Sequence, residues 1–230
     1  MITRAEVLAA LSDVRDPELD QPLTELGFVA AVDVRGAEVG VRLRLPTFYC
    51  APNFTWIMAA DARDAVAALD GVAAVRVSVD DQFTSDEIAA GLAAGKGFRE
   101  AFPDHAAGDL GELRTLFARK AFLARQYAVC EPLKRAGRGD GDLAALTLAD
   151  AGTSPDAEAY RRRRAELGLD MSPESPLVVT PAGRAVDAAG MSRHLGYARM
   201  TRISIDTNAE MCKGLLHRRY GISEEEALTA

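Results

Sequence analysis

Between residues 39 and 69 the chain changes its hydrophobic period, and this change constrains the fold more than any other feature. Val39, Val41, Leu43 and Leu45 alternate with Gly40, Arg42 and Arg44, the period-2 pattern of a half-buried strand, and Pro46 ends its ladder. From Phe54 to Leu69 the spacing is helical, with Pro52 and Asn53 near the start as first-turn and capping residues. The connecting loop, Pro46-Thr47-Phe48-Tyr49-Cys50-Ala51-Pro52-Asn53, therefore sets Cys50 just before a helix N-terminus. Unpaired N–H groups and the positive dipole end there favour a thiolate, the form that binds metal or attacks an electrophile. Cys50 is a candidate ligand or nucleophile, weighed against the usual role of free cysteine as a small buried hydrophobe.

The surrounding pattern extends this strand and helix into a small domain. Thr3 and Glu6 make a capping box, and Val7, Leu8, Leu11 and Val14 give the first helix an apolar stripe that ends at Pro17. Phe28 to Arg35 and Glu38 to Leu45 read as two strands joined by a tight turn at Gly36, an antiparallel hairpin. After the Asp70-Gly71 break, Val75, Val77 and Val79 form a third alternating run. The order α-β-β-α-β predicts an α+β fold with a mixed sheet, followed by a mainly helical C-terminal region. Thr84 to Glu87 repeats the capping-box pattern at the start of another helix, and the domain boundary is expected near residue 90, giving domains 1–90 and 91–230.

Beyond that boundary the pattern is helical. Asp109 to Arg135 places Leu110, Leu113, Phe117, Ala121, Ala124 and Ala128 on one stripe, with Cys130 off it. Short helices are expected at Leu143 to Leu148 and Ala157 to Leu167, an extended Leu177-Val178-Val179 segment among prolines, and a last helix from about Ser192 to Arg219.

Composition bounds the function classes. A net charge of −7 over 230 residues argues against nucleic acid as a partner. Three cysteines, at positions 50, 130 and 212, make no disulfide framework, and no apolar run approaches the ~18 residues of a membrane span. With no basic flank and apolar stretch at its N-terminus, the chain is expected to be soluble and cytoplasmic.

Several other features bear on chemistry. Gly91 to Gly97 is one residue short of a phosphate-binding loop and has Gly97 in place of the magnesium-binding hydroxyl. Cys212 joins Ile205, Ala209 and Leu216 on one helical face and reads as core. Asp206, Glu210, Lys213 and His217 share the opposite face and read as a solvated surface with a Glu210–Lys213 pair. The run Arg161 to Arg164 reads as decoration of a solvent-facing helix, His105 and His194 as isolated histidines. With no histidine near Cys50 in sequence and no Ser/His/Asp pattern, a thiol enzyme is the weakest reading and no catalytic residue is assigned.

Four anchors carry a resemblance to a known family: Asp16-Pro17-Glu18 as an acidic opening, Glu25-Leu26-Gly27 as an Asp-Leu-Gly-like turn, Thr47-Phe48-Tyr49-Cys50 as a Thr-x-x-Cys loop, and Asp81 to Ile88 as a closing segment with Phe83 in place of tryptophan. In this order and spacing, the first 90 residues resemble the domain shared by SufT-like and PaaD-like iron–sulfur cluster assembly proteins. Tyr49 before the cysteine and Ala51 after it depart from the family's usual Gly and Pro. The resemblance implies transient binding of iron or an iron–sulfur cluster at Cys50 and delivery to a client metalloenzyme apoprotein. The PaaD-like branch accompanies a multicomponent oxygenase. Asp16, Glu18, Thr47, Thr84 and Asp86 are the candidate binding residues around it, although an acidic turn such as 16–18 also serves as a solvated cap. Because one thiolate falls short of the four ligands a cluster takes, a homo-oligomer or a shared site with the client is expected. The competing reading is a metal-free adaptor or chaperone for oxygenase assembly.

Overall fold

The computed structural model describes residues 2–103 and 110–222, so that His105 and the helix start expected at Asp109 lie outside the described residues. The chain divides into two compact units, Met1–Leu110 with Asn208–Ala230, and Gly111–Thr207.

In the first unit, α1 (Arg4–Ser12) opens on the expected capping box: Thr3 Oγ1 accepts from the Glu6 N–H at 3.2 Å, and the Thr3 N–H donates to Glu6 Oε2 at 2.8 Å. Strands β1 (Val29–Arg35) and β2 (Glu38–Arg44) pair antiparallel through a two-residue connection in which Gly36 has φ +64°, a conformation glycine enters without Cβ strain. Helix α2 (Pro52–Ala67) then carries the chain back so that β3 (Ala74–Asp80) lies parallel to β2, with Val41 opposite Val77. The sheet order is β1-β2-β3. The mixed sheet and the α-β-β-α-β order are as the sequence predicts. Val39, Val41, Leu43, Val77 and Val79 share one core with Val7 and Leu11 of α1 and with Trp56, Ala59, Ala62 and Val66 of α2.

Helices α3 (Ser85–Ala93) and α4 (Phe98–Ala101) close one end of this core, where the Trp56 ring meets Phe98 and Phe102 edge-on at centroid distances of 5.9 Å. The division expected near residue 90 therefore differs from the compact units. Ile88, Leu92 and Phe98 belong to the sheet's own core, as do Ala209 and Leu216 from the end of the chain. The glycine of the 91–97 stretch serves packing: a Cβ on Gly91 would lie 2.8 Å from both Ala101 Cβ and Trp56 Cζ3. Gly91→Ala should lower stability by about 1–2 kcal/mol, because crowding against a tryptophan outweighs the better helix propensity of alanine. Urea unfolding measures this, and a variant as stable as the parent would contradict it.

The second unit contains most of α5 (Leu110–Arg135), then α6 (Asp140–Ala145), a 3-10 turn at Leu148–Ala151, α7 (Pro155–Glu166) and the first part of α8 (Ala188–Tyr220). Leu177–Val179 is extended, flanked by isolated bridges Thr147↔Pro176 and Val179↔Ala185. Its core gathers Phe122, Cys130, Leu143, Tyr160, Leu177, Met191 and Leu195. Two expectations are corrected here. Cys130 is fully buried rather than off the apolar side of α5, and burial pushes its thiol up to about 12, against the opposing charge of Lys134. The four arginines do not decorate a solvent face as a group: Arg162 is exposed, but Arg164 is 1% exposed and Arg161 donates to the Leu148 and Gly152 carbonyls at 3.1 and 2.7 Å. His194 is also structural, its Nε2 2.6 Å from Gln126 Oε1 and its pKa lowered by burial. None of the described helices is long and apolar enough to cross a membrane.

Candidate functional site around Cys50

The strand-to-helix loop that carries Cys50 is fixed from both sides. Leu45 and Pro46 are buried at the end of β2, and Ala51 forms the N-cap of α2 with Pro52 in the first turn, so Asn53 is inside the helix and does not cap it. The Ala51 carbonyl accepts from Thr55 N at 3.1 Å and Thr55 Oγ1 at 3.0 Å. Cys50 is half-buried, its Sγ 3.4 Å from Thr47 Oγ1 and its N–H donating to the Thr47 carbonyl at 3.4 Å. Either atom can be the donor, and Thr47 is in contact with the sulfur.

A residue absent from the sequence candidates holds the loop in place. Gln82, 3% exposed, donates from Nε2 to the Cys50 carbonyl at 2.8 Å, while its Oε1 accepts from Thr84 N at 2.7 Å and Thr84 Oγ1 at 2.9 Å. The Phe83 N–H adds a bond to the Phe48 carbonyl at 3.2 Å. Thr84 is thus the N-cap residue of α3 by position, but its hydroxyl orients Gln82 instead of closing a capping box. Asp86 is exposed in the first turn of α3. The only sequence hint of Gln82 was its place in the closing segment that resembles the family's.

Around the thiol the surface is aromatic. Phe48, Tyr49 and Phe83 are 41%, 79% and 40% exposed, and their ring centroids lie 5.1 to 6.2 Å apart. Three exposed rings in edge-to-face and tilted contact make an apolar patch of the kind that marks a docking surface.

The acidic turn is built differently from a solvated cap. Asp16 is 8% exposed, and its Oδ1 accepts from the N–H groups of Glu18 and Leu19, both at 2.8 Å. Burial raises the Asp16 pKa to about 6, partly offset by the two N–H donors, with Glu18 adding to the rise. The Cys212 thiol on α8 is pushed up to about 11, first by burial and then by the charges of Asp16, Cys50 and Glu18. Cys212 packs against the core of the first unit, as the sequence reads it. Among the described residues, no three His, Cys, Asp or Glu side chains come together to hold a metal ion. Glu210 pairs with Lys213 at 3.4 Å, as the sequence reads it, and Asp206 pairs with Arg202 at 3.5 Å.

Residues 4–79 match the family model described as an iron–sulfur cluster assembly protein. No curated protein matches the chain. Over those residues, which carry Cys50 and three of the four sequence anchors, the chain is similar to iron–sulfur assembly proteins, and the match supports a role in iron–sulfur cluster assembly.

Proposed function

We propose that this chain is a non-enzymatic maturation factor that hands iron or an iron–sulfur cluster to a client metalloenzyme apoprotein, with Cys50 as the transient ligand. The observation that carries the reading is the Cys50 loop: a half-buried thiol touching Thr47, on a loop braced by Gln82, within a domain that matches iron–sulfur assembly proteins. A cluster held for keeps takes about four protein ligands, and a site that offers fewer gives up its cargo readily. The missing ligands would come from the client or from a second copy of the chain, brought in over the aromatic rim of Phe48, Tyr49 and Phe83. By analogy with the PaaD-like branch, the first candidate client is a multicomponent oxygenase with a di-iron or iron–sulfur centre, and the helical unit Gly111–Thr207 adds surface for one dedicated client.

Anaerobic reconstitution with iron and sulfide should give a visible chromophore that Cys50→Ala lacks, and the variant should fail to activate the client. The exposed aromatic rim favours a second reading, a metal-free adaptor that grips the apoprotein. Full client activation by Cys50→Ala, with no Cys50-dependent absorption, would establish the adaptor and sink the carrier.

A further inference from the structure

The last turn of α8 is basic, with His217, Arg218 and Arg219, as the negative end of a helix dipole favours, and on that ground alone Arg219 would be a solvated charge. Its guanidinium is engaged instead. Nη1 donates to the Leu45 carbonyl at 3.2 Å, where the chain leaves β2 for the Cys50 loop, and Nη2 donates to both the carbonyl and the carboxylate of Asp81. Asp81 has φ +46° and is, with Asp20, one of two non-glycine residues with a left-handed backbone among those described. That conformation crowds Cβ against the following carbonyl and persists where the surroundings hold it. The next residue is Gln82, whose side-chain amide holds the Cys50 carbonyl at 2.8 Å. The arginine is itself held by its helix: Leu216 is fully buried in the first unit's core, and the Tyr220 ring meets the guanidinium groups of Arg219 and Arg44 at 5.3 and 5.8 Å. Because the Asp81 side chain is 69% exposed, its ion pair adds little by itself; the contacts that decide are those to the two carbonyls, one on each segment that frames the loop.

We infer that Arg219 is a positioning residue of the Cys50 site: it clamps the root of the Cys50 loop to the turn at Asp81 and so aims Gln82 at the Cys50 carbonyl. This rests on the reading of Cys50 as the transient ligand. Residues 4–79, which match iron–sulfur assembly proteins, then do not contain everything that shapes the thiol's surroundings, and the end of α8 completes them. Without the guanidinium the left-handed turn loses its hold, Asp81 relaxes toward an ordinary backbone conformation, and the Gln82 amide swings off the Cys50 carbonyl. The loop opens more often, and the half-buried thiol is reached more easily from solvent. Glycine at position 81 needs no such clamp, since it takes a positive φ without steric cost.

Iodoacetamide labelling of the folded, reduced full-length protein, resolved by peptide mass spectrometry, reads the Cys50 loop, and the emission of Trp56, the single tryptophan, buried in the same core, reads the fold. Arg219→Met should label Cys50 at least about tenfold faster than the wild type, the scale of losing charge-assisted hydrogen bonds from the closed loop, with Trp56 emission unchanged. Arg219→Lys should fall between the two, because one ammonium cannot serve both carbonyls. Adding Asp81→Gly to Arg219→Met should return the rate to within about threefold of the wild type, a rescue that a general loss of packing does not allow. A wild-type labelling rate in the folded Arg219→Met protein, or no rescue by glycine, would overturn the inference. If Arg219→Met shifts the Trp56 emission, Arg219→Lys decides: faster Cys50 labelling with native emission upholds the clamp, and labelling at the wild-type rate refutes it. The labelling needs no metal and is read apart from the reconstituted chromophore. If the wild type gives no Cys50-dependent chromophore while the labelling responds as expected, the carrier reading falls and Arg219 still positions the loop.

Discussion

Arg164→Met should lower the stability of the protein by about 2–4 kcal/mol, although the arginine sits in a run of four and makes no contribution to the Cys50 site. Its guanidinium is buried in the second unit. Nη1 donates to the Pro176 carbonyl at 2.9 Å and to Tyr160 OH at 3.3 Å; Nη2 donates to the Asp170 carbonyl at 2.6 Å and to Ser175 Oγ at 3.0 Å. Tyr160 OH in turn donates to the Leu177 carbonyl at 2.6 Å and accepts from Gln126 Nε2 at 2.9 Å, so that one cation ties α7, α5 and the extended 175–179 segment together. Methionine fills the channel of the stem but leaves two carbonyls without their guanidinium donor, at about 1–3 kcal/mol each. Against this stands the relief of desolvation, since the buried Nε has no partner. The bonds outnumber the orphan, which decides the sign. Arg164→Lys should recover only part of the loss, because one ammonium cannot serve both pairs of acceptors. Denaturant unfolding followed by circular dichroism reads both variants; a methionine variant more stable than the parent would show that desolvation dominates, as it does at some buried ion pairs.

What the sequence revealed and what it hid divide along the range of the interactions. The capping box at Thr3 and Glu6, the alternation through Val39 to Leu45 and the turn at Gly36 are local, and each formed as its residues dictate. The same local logic misread Thr84, whose spacing to Glu87 is that of a capping box. Its hydroxyl is taken instead by Gln82, a partner that makes sense only once the 82–84 segment lies against the Cys50 carbonyl. Arg164 and Gln126 are polar residues that any periodicity argument sends to solvent, and they are buried because acceptors from Asp170 to Val179 converge on them. Cys212 was legible as one face of a helix with Ile205, Ala209 and Leu216. That this part of the last helix packs into the core of the first unit was not, since no pattern within a chain reveals such a return.

Asp16→Asn should stabilise the protein at neutral pH, by up to about 3 kcal/mol, while impairing what the site does. In the folded chain the Asp16 carboxyl titrates near 6 because it is buried, against an ordinary value of 3.8. Between those values the native state holds a proton that the unfolded chain has released. Stability is therefore intact below pH ~4, falls as pH rises through the window from ~4 to ~6, and stays at the lower level above it. Asparagine keeps an oxygen for the Glu18 and Leu19 N–H groups and carries no charge to desolvate, so both the penalty and the slope should vanish in the variant. Urea unfolding at pH 4, 5, 6 and 7 compares the two proteins directly; parallel pH profiles would show that the carboxylate is not under strain in the fold. A strained carboxylate of this kind is common at functional sites, where its charge is what the site uses. The asparagine variant should therefore activate the client less well than the wild type while unfolding at higher urea, a divergence that a purely structural role for Asp16 does not produce.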